Sequence, residues 1–165
     1  ILTKRADFID CLPQWWFYKE YRGNIAFGFT LTGHDDLEPG ASTNAERIEA
    51  MKKLHEMGFK TFASIEPVIT LRESYDMINL TLDGCDLYKI GLLTGKRPYT
   101  RGQVMRWMAY VDALIAKRNA VVPIGEYNKP KVYWKDSVLD YIGVKRESLD
   151  CMFHVGSDYN IFKEG

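Results

Sequence analysis

Cysteine is scarce in this chain of 165 residues: Cys11, Cys85 and Cys151 are all there is. They are odd in number and far apart, with no C-x-x-C or C-x-x-x-C spacing among them. Close ligand pairs normally come from one short segment, so this spacing excludes a local zinc or iron–sulfur loop built from these residues. It also argues against a disulfide framework; with no secretory leader in view, the expectation is reduced thiols in a cytoplasm. Excess charge of either sign is missing too, since 22 basic residues balance 22 acidic ones. A general polyanion binder usually carries a basic excess, so composition does not call for nucleic acid, although a neutral total leaves room for a local basic patch. No apolar run approaches the ~20 residues of a membrane-spanning helix, so no membrane partner is expected.

What is present is a 46% hydrophobic, 13% aromatic chain, long enough for one domain with a core of its own. From Asn24 onward strand and helix patterns alternate. Ile25–Thr32 places Phe27, Phe29 and Leu31 on one face and Ala26, Gly28, Thr30 and Thr32 on the other. Thr43-x-x-Glu46 spells a capping box, an apolar stripe through Ala45, Ile48, Met51 and Leu54 follows, and Gly58 closes that helix. Further strands are expected at Phe59–Ile69, Cys85–Leu93, Ala120–Ile124 and Val132–Trp134. Helices are expected at Arg72–Leu82, Arg101–Arg118 and Asp136–Ile142. Residues from about 125 to 165 read as an irregular, aromatic extension of the single domain 1–165.

Parallel strands joined by helical crossovers define an α/β fold. An open doubly wound sheet and a stretch of a β/α barrel both fit. A doubly wound sheet is buried on both faces and favours continuous Val/Ile runs. Here one strand face is small and polar toward its C-terminal end, which suits a barrel interior opening into a site. The fold expected is therefore a partial (β/α) barrel.

In either fold, chemistry belongs at the C-terminal ends of the strands. The polar residues there are Lys4, Thr30, Thr32, Ser64, Glu66 and Thr94, with Lys89 part-way along its strand. Glu66 and Lys89 lie on consecutive strands and could form an ion pair, structural or ligand-facing. The loop Gly33-His34-Asp35-Asp36-Leu37-Glu38-Pro39 gathers titratable groups that could act as acid or base; a solvated loop is the plainer reading. Gly91–Arg97 is one residue short of a phosphate loop and has Arg97 where a Ser or Thr is needed, leaving a weak anion site at most. Trp15-Trp16-Phe17-Tyr18, flanked by Lys19 and Arg22, could stack on bases or could simply cover one end of the core.

Taken in order, several of these segments resemble the radical S-adenosylmethionine superfamily, in its spore photoproduct lyase-like "DNA repair photolyase" branch. They are Ile1-Leu2-Thr3-Lys4, Phe29-Thr30-Leu31-Thr32, Leu37-Glu38-Pro39-Gly40-Ala41-Ser42-Thr43 running into Glu46-Arg47-Ile48-Glu49-Ala50, Leu54–Gly58, and Ile65-Glu66-Pro67-Val68-Ile69. The resemblance covers roughly residues 1–95. It implies a partial (β/α)₆ barrel that binds S-adenosylmethionine and a [4Fe–4S] cluster and generates a deoxyadenosyl radical, in a lyase-type enzyme whose substrate could be damaged DNA. The implied cofactor contacts are Lys4, Thr30 and Thr32, and more loosely Glu66. The family's C-x-x-x-C-x-x-C motif is not in this sequence, and none of Cys11, Cys85 or Cys151 matches a ligand position. The expectation is thus the C-terminal part of such an enzyme, inactive alone, with an exposed strand edge at Ile1–Lys4 open to self-association. The competing expectation is a non-enzymatic α/β module that binds an anionic small molecule at its strand ends. A nucleic-acid-binding fragment is the third.

Overall fold

The computed structural model describes residues 1–121, 129–149 and 152–163. Five strands, β1 (Leu2–Thr3), β2 (Ala26–Thr30), β3 (Lys60–Val68), β4 (Leu87–Leu92) and β5 (Lys131–Trp134), form one all-parallel sheet in the order β1-β2-β3-β4-β5. The sheet is open, with β1 and β5 as its edges. The connections carry α1 (Lys19–Arg22), α2 (Asn44–Glu56), α3 (Leu71–Thr81) and α4 (Arg101–Val121), and α5 (Asp136–Ile142) follows β5.

Strand order never reverses, so every crossover steps the same way. With the right-handed connection that parallel strands impose, the helices gather on one face of the sheet. Accordingly α2 packs on α3, α3 on α4, and α4 on α5. Beneath this layer the strand side chains are sealed: Phe27, Phe29, Leu31, Ala63, Ile65, Tyr88, Ile90, Val132 and Trp134 are wholly buried. Their partners across the interface include Met51, Leu54, Ile78, Val104, Val111 and Ile115.

The local signals behind these elements hold at atomic detail. Thr43 Oγ1 accepts from the Glu46 amide at 3.2 Å while Glu46 Oε2 accepts from the Thr43 amide at 2.7 Å, completing the capping box that starts α2. Gly58, at φ +85°, turns the chain out of that helix in the left-handed region, where glycine carries no Cβ penalty.

One expectation needs correcting. The strand expected at Ala120–Ile124 is not there at its start: Ala120 and Val121 are the last residues of α4, and 122–124 lie outside the described residues. The strand expected at Val132–Trp134 and the helix expected at Asp136–Ile142 are present as β5 and α5, so the sheet continues past residue 125. Trp134 explains why. Its indole is fully buried, and the ring stands edge-on to Trp107 of α4 at 5.5 Å. A side chain of that size sealed under a helix locks a four-residue strand onto the sheet edge.

Candidate functional site: the polar face of the sheet

The face away from the helices carries a different set of side chains. Register places Thr30 opposite Ser64, Ser64 opposite Lys89, and Lys89 opposite Tyr133. Strand alternation puts Lys4 at the β1 end of this row, because Thr3 is paired with Phe29. One step nearer the C-terminal ends lie Thr32, Glu66, Gly91 and Lys135 on the same face. The row from Thr30 to Tyr133 crosses three strand gaps, about 14 Å at ~4.8 Å each.

Small residues shape this face as much as polar ones do. A Cβ at Gly28 would lie 2.2 Å from the Phe62 ring, so the ring rests directly on the β2 backbone. Phe62 in turn lies under the Lys89 ammonium, 4.9 Å from the ring centroid, a cation–π contact that holds the charge over the sheet. Lys89 has no carboxylate partner among the described residues, and the pair expected between it and Glu66 does not form. Glu66 is bound instead by Lys135, which follows β5. Gly91 makes that possible: a Cβ there would meet Glu66 Oε1 at 2.6 Å and Lys135 Cδ at 3.1 Å. The lysine chain crosses over β4 where there is no side chain to stop it. Beside this crossing the β3–β4 register shifts between Ile65 and Val68, around a cis Glu66–Pro67 peptide.

At the other end of the face, the loop after β2 is pinned by a buried ionic network. Arg47 of α2 is fully buried; its Nη1 donates to Thr30 O at 2.6 Å, its Nε to Thr43 O at 3.3 Å and its Nη2 to Glu38 Oε2 at 2.6 Å. Glu38, only 5% exposed, also accepts from Thr32 Oγ1 at 3.1 Å and pairs with Lys4 Nζ at 2.9 Å. Burial pushes the Glu38 carboxyl upward, but hydrogen bonds and charge from Arg47 and then Lys4 outweigh it and hold the group below its ordinary value. Lys4 after β1, Thr32 and Glu38 in the loop after β2, and Arg47 on α2 close into one unit. The Lys4 side chain remains half exposed.

The four residues proposed from sequence thus share one face: Thr30 and Lys4 in the row, Thr32 and Glu66 beyond it. Thr32 and Lys4 are engaged with Glu38, and Glu66 with Lys135. Sequence reasoning met Arg47 only inside the family-like segment Glu46–Ala50, not as a site residue, and did not single out Lys135. Arg47 had a signal, a charge inside the buried stripe of an amphipathic helix; Lys135 had none.

Of the remaining polar and aromatic residues, some are held by structural contacts and others stand exposed. Asp35 Oδ1 accepts from the Asn44 amide and side chain, both at 2.6 Å, so it supports the start of α2. Lys96 stands exposed beside Gly95, and the Arg97 guanidinium turns back to donate to Leu93 O at 2.6 Å and lies over Tyr141. Trp16 and Phe17 pack onto Phe27 and Phe59, whereas Trp15 and Tyr18 are exposed. His154 meets Asp112 at 2.8 Å through Nε2.

A [4Fe–4S] cluster does not fit the described residues. Cys11 is exposed at the end of a short 3-10 helix, Ile9–Cys11, on the β1–β2 connection, and Cys85 is fully buried just before β4, its thiol pushed well up by desolvation. Cys151 lies outside the described residues. No group of three or more metal-ligating side chains occurs among the described residues, nor is any helix there long and apolar enough to cross a membrane. Comparison with protein-family models, with curated proteins and with solved structures gives no match to this chain.

Proposed function

We propose that the polar face of this sheet binds an anionic small molecule at the C-terminal ends of the strands, and that the molecule is S-adenosylmethionine in a partial barrel of the radical S-adenosylmethionine type. The observation that carries the reading is the row Thr30–Ser64–Lys89–Tyr133 with the uncompensated Lys89 at its centre. A buried or half-buried cation with no counter-charge is expensive unless a ligand supplies one. The Lys89 ammonium takes a carboxylate, the Thr30 and Ser64 hydroxyls hydrogen-bond to it or to a ribose, and Glu66 accepts from an amine or hydroxyl.

Two further features favour this ligand class. The strands follow one another around the sheet without reversal, as they do in β/α barrels. The residues that carry the family resemblance, Lys4, Thr32, Glu38 and Arg47, are also the ones that meet in space. Cluster ligands are not among the described residues, so radical chemistry on this scaffold requires them from elsewhere, and the damaged-DNA substrate suggested by the branch stays part of the proposal. Any added strand would pair along the free edge of β1.

The test is calorimetric titration of the purified chain with S-adenosylmethionine and with S-adenosylhomocysteine. The expected result is saturable binding that weakens at least about tenfold in Lys89→Ala, some 1.4 kcal/mol. Iron and sulfide supplied under reducing conditions are expected to leave no stoichiometric iron on the chain after gel filtration. No binding of either ligand at about 1 mM, or equal binding by the variant, overturns the proposal.

A further inference from the structure

The opposite rim of the sheet, where the strands begin, holds a second cluster that the proposed function does not use. A cavity of about 470 Å³ opens there, lined by Lys19 and Arg22 of α1, His55 of α2, the Gly58–Phe59–Lys60 entry to β3, and Asp86 before β4. Its size falls within the ~300–1,000 Å³ of small-molecule sites.

The charges in this cavity are arranged rather than scattered. Asp86 is nearly buried and fully used: its Oδ2 accepts from the Thr61 amide at 2.8 Å and lies 3.4 Å from His55 Nδ1, while its Oδ1 accepts from Lys60 Nζ at 3.1 Å. The carboxylate therefore fixes Lys60 and orients the imidazole. With Nδ1 turned toward Asp86, Nε2 is the ring nitrogen left to meet a ligand. Lys60 is compensated by Asp86. Lys19 and Arg22 are not, since neither has a carboxylate partner among the described residues. Arg22 is nevertheless held in place, donating from Nη1 to Met57 O at 3.1 Å with its guanidinium against Gly58. One of its five donors is committed there and the rest are available. In a chain of zero formal charge, two uncompensated cations beside an oriented histidine form a local site for a doubly charged anion.

We infer that this cavity is a phosphate-monoester site, with Arg22 and Lys19 as the charged contacts and His55 as a hydrogen-bonding contact through Nε2. A monoester matches the two uncompensated charges, and Arg22 offers the forked donors that phosphate oxygens accept. A monocarboxylate would leave one cation unanswered. The site lies at the strand beginnings, where its Lys60 is four residues along β3 from Ser64 of the Lys89 row, about 13 Å at ~3.3 Å per residue, and it shares no residue with that row, so it stands independently of the reading given above.

Inorganic phosphate and a phosphorylated sugar are the probes, titrated at low salt into the isotopically labelled protein with amide shifts recorded. The expected result is saturable shifts in residues 19–23 and 55–61, with dissociation constants in the millimolar range for inorganic phosphate and tighter for the monoester. Lys19→Glu, at an exposed position whose backbone bond to Gly23 the substitution keeps, should weaken binding at least about tenfold while the spectrum elsewhere stays native. Lys89→Ala should leave it unchanged. Shifts confined to the Lys89 row, equal binding by Lys19→Glu, or no saturable shift with either probe overturns the assignment.

Discussion

Replacing Arg47 with alanine is expected to lower the free energy of unfolding by about 3–5 kcal/mol, a large part of the ~5–15 kcal/mol typical of a native protein. The cost is not the loss of one ion pair. The guanidinium serves Thr30 O, Thr43 O and Glu38 at once, and its removal leaves a carboxylate at 5% side-chain exposure with the half-exposed Lys4 as its cation and the Thr32 hydroxyl as its other donor. The effect should depend on pH in a definite direction. The folded-state carboxyl of Glu38 is held below its ordinary value, so its contribution is complete above that value and disappears as pH falls through the lower, folded-state one. Wild type therefore loses this contribution on acidification. In Arg47→Ala the depression is largely gone, and the gap between the two proteins should narrow toward the acid side. Urea midpoints recorded between about pH 7 and pH 3 measure both effects. Equal midpoints for the two proteins across that range would mean the network contributes nothing.

Trp134→Ala is expected to cost a similar about 3–5 kcal/mol, for a different reason. The indole is wholly buried, edge-on to Trp107, and its Nε1 lies 3.3 Å from His154 Nε2. Truncation opens a cavity between β5 and α4 and removes the main anchor of an edge strand only four residues long. Hydrogen exchange should report the loss locally first, at the amides of β5 and at Lys135, whose backbone bond to Ile90 O closes the ladder. A destabilisation under about 1 kcal/mol, with β5 still protected, would contradict the packing described here.

The alternation of strands and helices was legible because local signals and burial agree. Ile25–Thr32 shows its two faces in a strict period of two, and the Thr43–Glu46 box marks the start of α2 within a residue. The small, polar character of one strand face was legible as well, and the positions named from it, Lys4, Thr30, Thr32 and Glu66, do share that face. What sequence could not supply was pairing between distant segments. Glu66 and Lys89 sit on adjacent strands, which made them natural partners. Yet register sets Ser64 opposite Lys89, and the absent side chain of Gly91 lets Lys135 reach Glu66 from β5. Arg47 and Glu38 are nine residues apart, but nothing local dictates that the loop between them folds back over Thr30. The rim cavity was equally hidden, since it draws single residues from α1, α2, β3 and the turn before β4.

The central claim is that ligand binds across the polar face at the C-terminal ends of the strands. An amide chemical-shift map with S-adenosylhomocysteine, at about 1 mM ligand, tests it most directly. The account predicts saturable shifts at Lys4, Thr30–Gly33, Ser64–Glu66 and Lys89–Gly91, with the midpoint moved to at least about tenfold higher ligand in Lys89→Ala. A flat map, or shifts gathered at the opposite rim around Arg22 and Lys60, would contradict it.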